Sequence, residues 1–287
     1  MEPYPGYRLR QLLGRGGFAD VWEAELASGG TVALKFMPAT DRLVAAKEIR
    51  SILAVKSIKH PHLIQIEQVW THLGYIVIAM EQADGSLLEL LDAYTSEFGT
   101  PMVPETVCRY LGQAAQAIDA MNRQQHLLDG QRVGFQHCDI KPSNLLLFGD
   151  RVKVADFGLA SPTSSPMKSH RRAGTLDFTA PEVFQGRLSD WTDQYALAVS
   201  YCQLRGGHLP FSDTPTSFSR TYVRPNPDLT MLPPAERPIV QRALAASPQD
   251  RWPTCQELVS RLTEEVLGDE HSIPPVSSGA NSSDSMG

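Results

Sequence analysis

The chain has 287 residues, 42% of them hydrophobic and 20% charged, which suits a globular chain with room for one large domain or two lobes sharing a cleft. A net charge of −6 argues against general binding to nucleic acid, which favours a basic face. The four cysteines, Cys108, Cys138, Cys202 and Cys255, form no C-x-x-C pair, and no apolar run approaches the roughly 18 residues needed to span a bilayer. Met1 to Tyr7 lacks a basic region followed by an apolar stretch, so no signal peptide is expected either. Reduced thiols in a soluble, cytoplasmic protein without a membrane segment are therefore expected.

Tyr7 to Leu13 and Val21 to Glu25 read as two strands around Gly14-Arg15-Gly16-Gly17-Phe18-Ala19-Asp20. Glycines let a backbone come close to a phosphate and point its N–H groups at the anion, although glycine-rich hairpins are also common without any ligand. Thr31 to Met37 reads as a third strand and carries Lys35. A lysine in an apolar strand is costly unless its charge is paired, or unless it sits at an edge and its stem packs while the amine reaches water. Leu43 to Ile58 has helical spacing, and Glu48 is the only glutamate between Lys35 and His60. Leu63 to Val69 and Tyr75 to Met80 complete a predicted sheet of five strands, followed by the polar turn Glu81 to Ser86.

From Leu87 onward the pattern is mainly helical. Leu87 to Tyr94 is one predicted helix and Pro104 to Met121 a longer one, whose stripe of Val107, Leu111, Ala114, Ala115 and Ile118 reads as core. Gln124 to Gln136 is a link without an evident role. His137-Cys138-Asp139-Ile140-Lys141-Pro142-Ser143-Asn144 then reads as a loop, because Pro142 and its polar neighbours break both periodic patterns. It presents an acid, a base and an amide from one turn. Asp139 can accept a proton from a hydroxyl, Lys141 can hold an anionic group, and Asn144 offers a carbonyl oxygen to a hard cation. The predicted strands Leu145 to Phe148 and Val152 to Ala155 lead to Asp156-Phe157-Gly158, a second source of oxygen ligands. Ser161 to Arg172 is basic and rich in Ser, Thr and Pro and reads as a mobile loop that can be ordered or disordered, with a charge cluster of Lys168, His170, Arg171 and Arg172 that also suits a solvated surface. It leads into Gly174-Thr175-Leu176-Asp177-Phe178-Thr179-Ala180-Pro181-Glu182. Trp191 to Leu204 leaves little polar face and reads as a buried helix. Gly206 to Pro238 is rich in proline and turns, Pro238 to Ala246 and Thr254 to Leu267 read as closing helices, and Gly268 to Gly287 as a disordered tail.

Taken in order, these motifs resemble those of the protein kinase superfamily: a G-x-G-x-x-G-x-V loop, a V-A-x-K strand, H-R-D-x-K-x-x-N, D-F-G and A-P-E. Two positions depart: Ala19 stands at the third glycine and Cys138 at the arginine of H-R-D. The resemblance covers about Tyr7 to Leu267 and is strongest to bacterial eukaryotic-like serine/threonine protein kinases. Lys141 and Thr175 support serine/threonine over tyrosine specificity, because such enzymes carry a lysine two residues after the catalytic aspartate that works with such a threonine. The implied fold is α+β and bilobal. Its N-lobe, about 7–82, is a small five-stranded antiparallel sheet with one main helix; its C-lobe, about 84–267, is mostly helical. One catalytic domain, 7–267, is followed by the tail, 268–287.

The resemblance implies an ATP-dependent transfer of the γ-phosphoryl group to Ser/Thr hydroxyls of protein substrates, the chain itself included. ATP would lie beneath Leu13, Gly14, Gly16, Gly17, Phe18 and Val21, with Ala33, Met80 and Leu146 around adenine and with Glu81 and Ala83 offering it backbone hydrogen bonds. Lys35, held by Glu48, would grip the α- and β-phosphates, although Ser51 falls nearer the usual place for that glutamate. Asn144 and Asp156 would bind Mg²⁺, with Mn²⁺ as the alternative, while Asp139 would accept the hydroxyl proton and Lys141 steady the transferring group. Asp193 would brace the catalytic loop, and Arg251 would pair with Glu182. A pseudokinase scaffold on the same fold is the alternative. A small-molecule phosphotransferase shares the ATP chemistry but lacks the Gly174 to Glu182 segment. Neither a nucleic-acid partner nor a particular oligomeric state is implied.

Overall fold

The computed structural model describes residues 2–16, 19–39, 42–128, 130–163, 176–213 and 219–269, without the side chains of 42–44, 47, 48, 51 and 269. Strands β1 (Tyr7–Arg15), β2 (Asp20–Leu26), β3 (Thr31–Pro38), β4 (Ile66–His72) and β5 (Tyr75–Met80) form one antiparallel sheet in the order β1-β2-β3-β5-β4. Period-two alternation sorts its side chains into two cores. Val32, Leu34, Val77 and Ala79 pack on the outer face with Tyr7 and Trp70, whereas Ala33, Met37, Ile76, Ile78 and Met80 face inward. Lys35 shares the parity of Ala33 and Met37, so it also faces inward, opposite Ile78.

Helix α1 (Arg42–Lys56) lies beneath the sheet, with Ala45, Ile52 and Val55 buried. The fourth strand begins at Ile66 rather than at the expected Leu63. Leu63 and Ile64 are buried, but they turn to the other lobe: Leu63 bridges Val154, and the Ile64 N–H donates to the Val154 carbonyl at 3.0 Å. Their hydrophobicity ties the lobes together instead of extending the sheet.

The second lobe opens with β6 (Gly85–Ser86) and α2 (Leu87–Phe98). Ser86 caps α2 reciprocally with Glu89, and Gly99 ends it in the left-handed conformation that glycine adopts without strain. The helix runs four residues past the expected Tyr94. Helix α3 (Pro104–Asn122) buries the predicted stripe from Val107 to Ile118. Burying Val107, Leu111 and Ile118 contributes about 1.5–3 kcal/mol each.

The link without an assigned role is a hairpin, β7 (His126–Leu128) and β8 (Gln131–Val133), followed by β9 (Phe135–Gln136). A Cβ at Gly134 would meet the Asn122 carbonyl oxygen at 2.3 Å, so only glycine lets the chain pass the end of α3 there. β10 (Leu145–Phe148) and β11 (Arg151–Val154) form a second hairpin, with β6 alongside β10. β12 (Ser161–Pro162) pairs with β9. Helices α4 (Pro181–Phe184), α5 (Thr192–Gly206), α6 (Arg237–Ala243) and α7 (Cys255–Asp269) complete the lobe. The described residues from 207 to 236 hold turns only, as their prolines dictate. α7 runs to Asp269, past the Gly268 where a tail was expected, and 270–287 lie outside the described residues. No helix of the described residues is long and apolar enough to cross a membrane.

Candidate active site

A cavity of about 680 Å³ separates the five-stranded sheet from the helical lobe. Its roof is the β1–β2 turn, where Gly14 pairs with Val21, Arg15 with Asp20, and the Gly16 N–H donates to the Ala19 carbonyl at 2.9 Å. Leu13, Gly14, Gly16 and Val21 line the cavity; Gly17 and Phe18 lie outside the described residues. Ala33, Met80 and Leu146 supply apolar walls. Glu81 and Ala83 line the edge nearest the connection between the lobes. Glu81 gives its N–H to the Gln65 carbonyl at 3.2 Å, so the backbone atom it can offer a base is its own carbonyl oxygen.

The floor is the loop that sequence reading singled out. Asp139 is 4% exposed; its Oδ2 takes Lys141 Nζ at 3.2 Å and Asn144 Nδ2 at 2.9 Å. Its Oδ1 is buried with no hydrogen-bond partner among the described residues. A buried carboxylate oxygen left bare is costly, and it is the atom a substrate hydroxyl would need. Asn144, in a 3₁₀ turn over Pro142–Asn144, spends its amide nitrogen on Asp139, at Oδ2 and at the backbone carbonyl (2.7 Å), which leaves its Oδ1 as the face for a cation. The Ala155 N–H bonds the Asn144 carbonyl at 2.9 Å, so Asn144 and Asp156 are held in register on the cavity wall. Lys35 Nζ meets Asp156 Oδ2 at 2.7 Å. The Glu48 and Ser51 side chains lie outside the described residues; the partner seen for Lys35 is thus Asp156.

The loop is strained and then braced. Cys138 has φ of 63° and Asp156 of 68°, a left-handed conformation that costs a non-glycine residue of order 1–3 kcal/mol. Asp193, 1% exposed on the first turn of α5, accepts the N–H groups of His137 (2.6 Å) and Cys138 (2.9 Å) and so holds the unusual turn. Burial raises the Asp193 carboxyl above its ordinary range, and the N–H bonds from His137 and Cys138 pull it partly back. His137 is fixed at both ring nitrogens: Nε2 faces the Ala155 carbonyl at 2.8 Å, and Nδ1 accepts the Asp139 N–H at 3.2 Å. That pattern makes it the neutral Nε2–H tautomer. Burial, with Asp193 and Asp139 nearby, pushes the Cys138 thiol well above its usual titration range, so it is an uncharged spacer where the related motif has a cation. Below the loop, Arg251 donates to both Glu182 oxygens at 2.9 and 2.7 Å, and the pair is 2% and 4% exposed.

Three features of this site left no readable pattern. Lys153 Nζ meets Glu81 Oε2 at 2.5 Å and ties the inter-lobe connection to β11. Gln136 is fully buried between Asn122 Oδ1 (2.9 Å), Thr163 Oγ1 (3.5 Å) and the Asp193 N–H (3.4 Å). Arg224 bonds two carbonyls just ahead of Ala180-Pro181-Glu182.

The chain is 33% identical over 226 residues to CBL-interacting protein kinase 4 of Oryza sativa subsp. japonica, across 74% of this chain and 47% of that one. It is 29% identical over 265 residues to the serine/threonine-protein kinase PknE of Mycobacterium tuberculosis, across 88% of this chain and 44% of that one. It thus spans less than half the length of these curated relatives. The crystal structure of the PknI kinase domain of Mycobacterium tuberculosis superimposes with a TM-score of 0.70 at 24% identity, covering 91% of this chain and 97% of that one, a likeness of fold. The sequence pattern described as "Protein kinase domain" matches residues 7–265, and with that extent the chain belongs to the protein kinase domain family.

Proposed function

We propose that the chain is a serine/threonine protein kinase that moves the γ-phosphoryl group of ATP to hydroxyls of protein substrates, itself included. The observation that carries this is the convergence of Lys35, Asp139, Lys141, Asn144 and Asp156 on one cavity, with Asp139 Oδ1 bare at its floor. The assay is transfer of labelled γ-phosphate from ATP to an unstructured Ser/Thr-containing protein. Wild type that binds ATP yet transfers nothing would favour the pseudokinase alternative.

In this reading, the apolar walls Ala33, Met80 and Leu146 hold adenine, and the Glu81 carbonyl and Ala83 N–H fix its edge. The β1–β2 turn points backbone N–H groups at the phosphates. Lys35 grips the α- and β-phosphates. Asp139 accepts the acceptor hydroxyl's proton at Oδ1, and Lys141 neutralises the transferring group. Asn144 and Asp156 fit a hard cation, because both present oxygen. Two such ligands leave the rest of a Mg²⁺ or Mn²⁺ shell to phosphate oxygens and water. When bound, the metal neutralises charge on the β- and γ-phosphates. We assign Glu48 as the second partner of Lys35 in the ATP-bound state; unchanged transfer by Glu48→Gln in the same assay would remove it from the site. The free cysteines support a reducing, cytoplasmic setting.

Cys138 bears on control. In kinases with H-R-D, the arginine is a cation that a phosphorylated loop neutralises and orders itself around. Here no positive charge needs neutralising at position 138. Basal activity is therefore expected without phosphorylation of Thr163, Ser164, Ser165 or Ser169, the last three of which lie outside the described residues. A variant with all four changed to Ala should transfer phosphate to an added substrate within a few-fold of wild type. A loss of tenfold or more, about 1.4 kcal/mol in the barrier, would show that loop phosphate matters.

A further inference from the structure

Arg224 leaves an irregular stretch and reaches into the lobe between three aromatic rings. Its guanidinium carbon lies 4.7 Å from the Phe211 centroid, 5.5 Å from Phe184 and 5.6 Å from Tyr222. One nitrogen, Nη2, donates to the Leu176 carbonyl at 2.6 Å and to the Thr179 carbonyl at 2.7 Å. These two carbonyls bracket the single 3₁₀ turn Leu176–Phe178 that precedes Ala180-Pro181-Glu182. The other edge, Nε and Nη1, is shielded from water and makes no hydrogen bond of standard geometry among the described residues, although the Tyr222 hydroxyl lies close to the guanidinium.

Stability alone does not account for this placement. Leaving donors of a charged group buried and unmade costs about 1–3 kcal/mol or more, and an apolar side chain of similar volume would fill a slot walled by three aromatics at no such cost. What the cation does that an apolar residue cannot is fix two backbone oxygens at once. The chain from Gly158 to Glu182 is held at its start by the pairing of Ser161 with Gln136 and of Pro162 with Phe135, and at its end by the Glu182–Arg251 pair. Among the described residues, Arg224 anchors the part of this stretch that begins at Leu176, just ahead of Ala180-Pro181-Glu182. The same stretch, Gly174 to Glu182, is what small-molecule phosphotransferases lack, so its shape concerns the protein acceptor and not ATP.

We infer that Arg224 is a positioning residue for the protein substrate: by clamping Leu176 and Thr179 it sets the surface on which the acceptor chain is presented to Asp139. The inference rests on the protein-kinase reading and deepens it. Arg224 does not line the ATP cavity, so ATP handling and acceptor handling should separate. Lysine keeps the charge and can reach one carbonyl, but it lacks the flat fork that lies between the rings, so it should restore part of the function.

The experiment compares wild type, Arg224→Ala and Arg224→Lys in four measurements: KM for ATP, slow ATP hydrolysis without acceptor, kcat/KM for an unstructured protein acceptor, and melting temperature. For Arg224→Ala, kcat/KM for the acceptor should fall tenfold or more, while the KM for ATP and the hydrolysis rate stay within twofold; Arg224→Lys should fall between the two. A parallel fall of ATP hydrolysis and acceptor phosphorylation, or a fall in acceptor kinetics that only tracks a lowered melting temperature in Arg224→Ala and Arg224→Lys, would assign Arg224 to the fold rather than to the acceptor and overturn the inference. Unchanged acceptor kinetics in Arg224→Ala would overturn it as well. If wild type itself transfers nothing, the kinase reading fails first, and the two failures are thereby told apart.

Discussion

Asp139→Asn is expected to lower phosphate transfer to a protein acceptor by roughly 100–1,000-fold, about 3–4 kcal/mol in the barrier, while ATP affinity and melting temperature stay near those of wild type. The substitution is isosteric, so the contacts at Oδ2 with Lys141 and Asn144 can be rearranged without a cavity. What it removes is the negative charge at Oδ1, an atom that is buried and bare of partners in the described structure. The amide that replaces it cannot accept the hydroxyl proton. Asp156→Ala should be at least as severe, because it removes both a proposed metal ligand and the 2.7 Å partner of Lys35. Transfer near the wild-type rate by Asp139→Asn, measured with labelled ATP, would end the assignment of Asp139 as the base.

Much of this site was legible because its chemistry is compressed into short stretches. Asp139, Lys141 and Asn144 lie within six residues, and the structure shows the contacts among them that so short a turn dictates. Tyr75–Met80 and Leu145–Phe148 were bounded to the residue, since each is an apolar run closed by polar or turn residues at both ends. Legibility failed where a contact spans the chain. Leu63 and Ile64 looked like strand residues, but their partner is Val154, in the other lobe. The left-handed backbone at Cys138 cannot be read from a cysteine, because it is imposed by Asp193, 55 residues away. Arg224 sits in a proline-rich stretch with no periodicity, so nothing local indicates which way it points. The hairpin at 126–133 was missed because its two strands have three residues each, too few to show alternation.

Glu182→Ala is expected to destabilise the fold by about 3–5 kcal/mol, because it leaves the Arg251 guanidinium, 2% exposed, buried without its counter-charge. Arg251 would retain the Ala245 and Trp191 carbonyls at 2.9 and 3.0 Å, which satisfy donors but do not neutralise charge. Ser189 and Thr192, which donate to Glu182 Oε1 at 2.9 and 3.0 Å, would lose their acceptor as well. At roughly 2–4 °C per kcal/mol for a chain of this size, the melting temperature should fall by about 6–20 °C. Removing both charges with Glu182→Met and Arg251→Met together should cost less than either single change, since no ion is then left alone in the interior. The same pair sets a pH dependence. Burial pulls the Glu182 carboxyl upward, but the hydrogen bonds and charge of Arg251, helped by Ser189, outweigh it and leave the group below its ordinary 4.5. A carboxylate lowered in the folded state adds stability that is fully present above its unfolded value and is lost as pH falls through its folded value. Acid should therefore narrow the gap between wild type and Glu182→Ala, starting as pH drops below the ordinary carboxylate value of 4.5 and continuing as it falls through the lowered folded value. A wild-type advantage that held constant from pH 7 to pH 3, or a Glu182→Ala protein melting within 2 °C of wild type at pH 7, would show that the ion pair does not stabilise this fold.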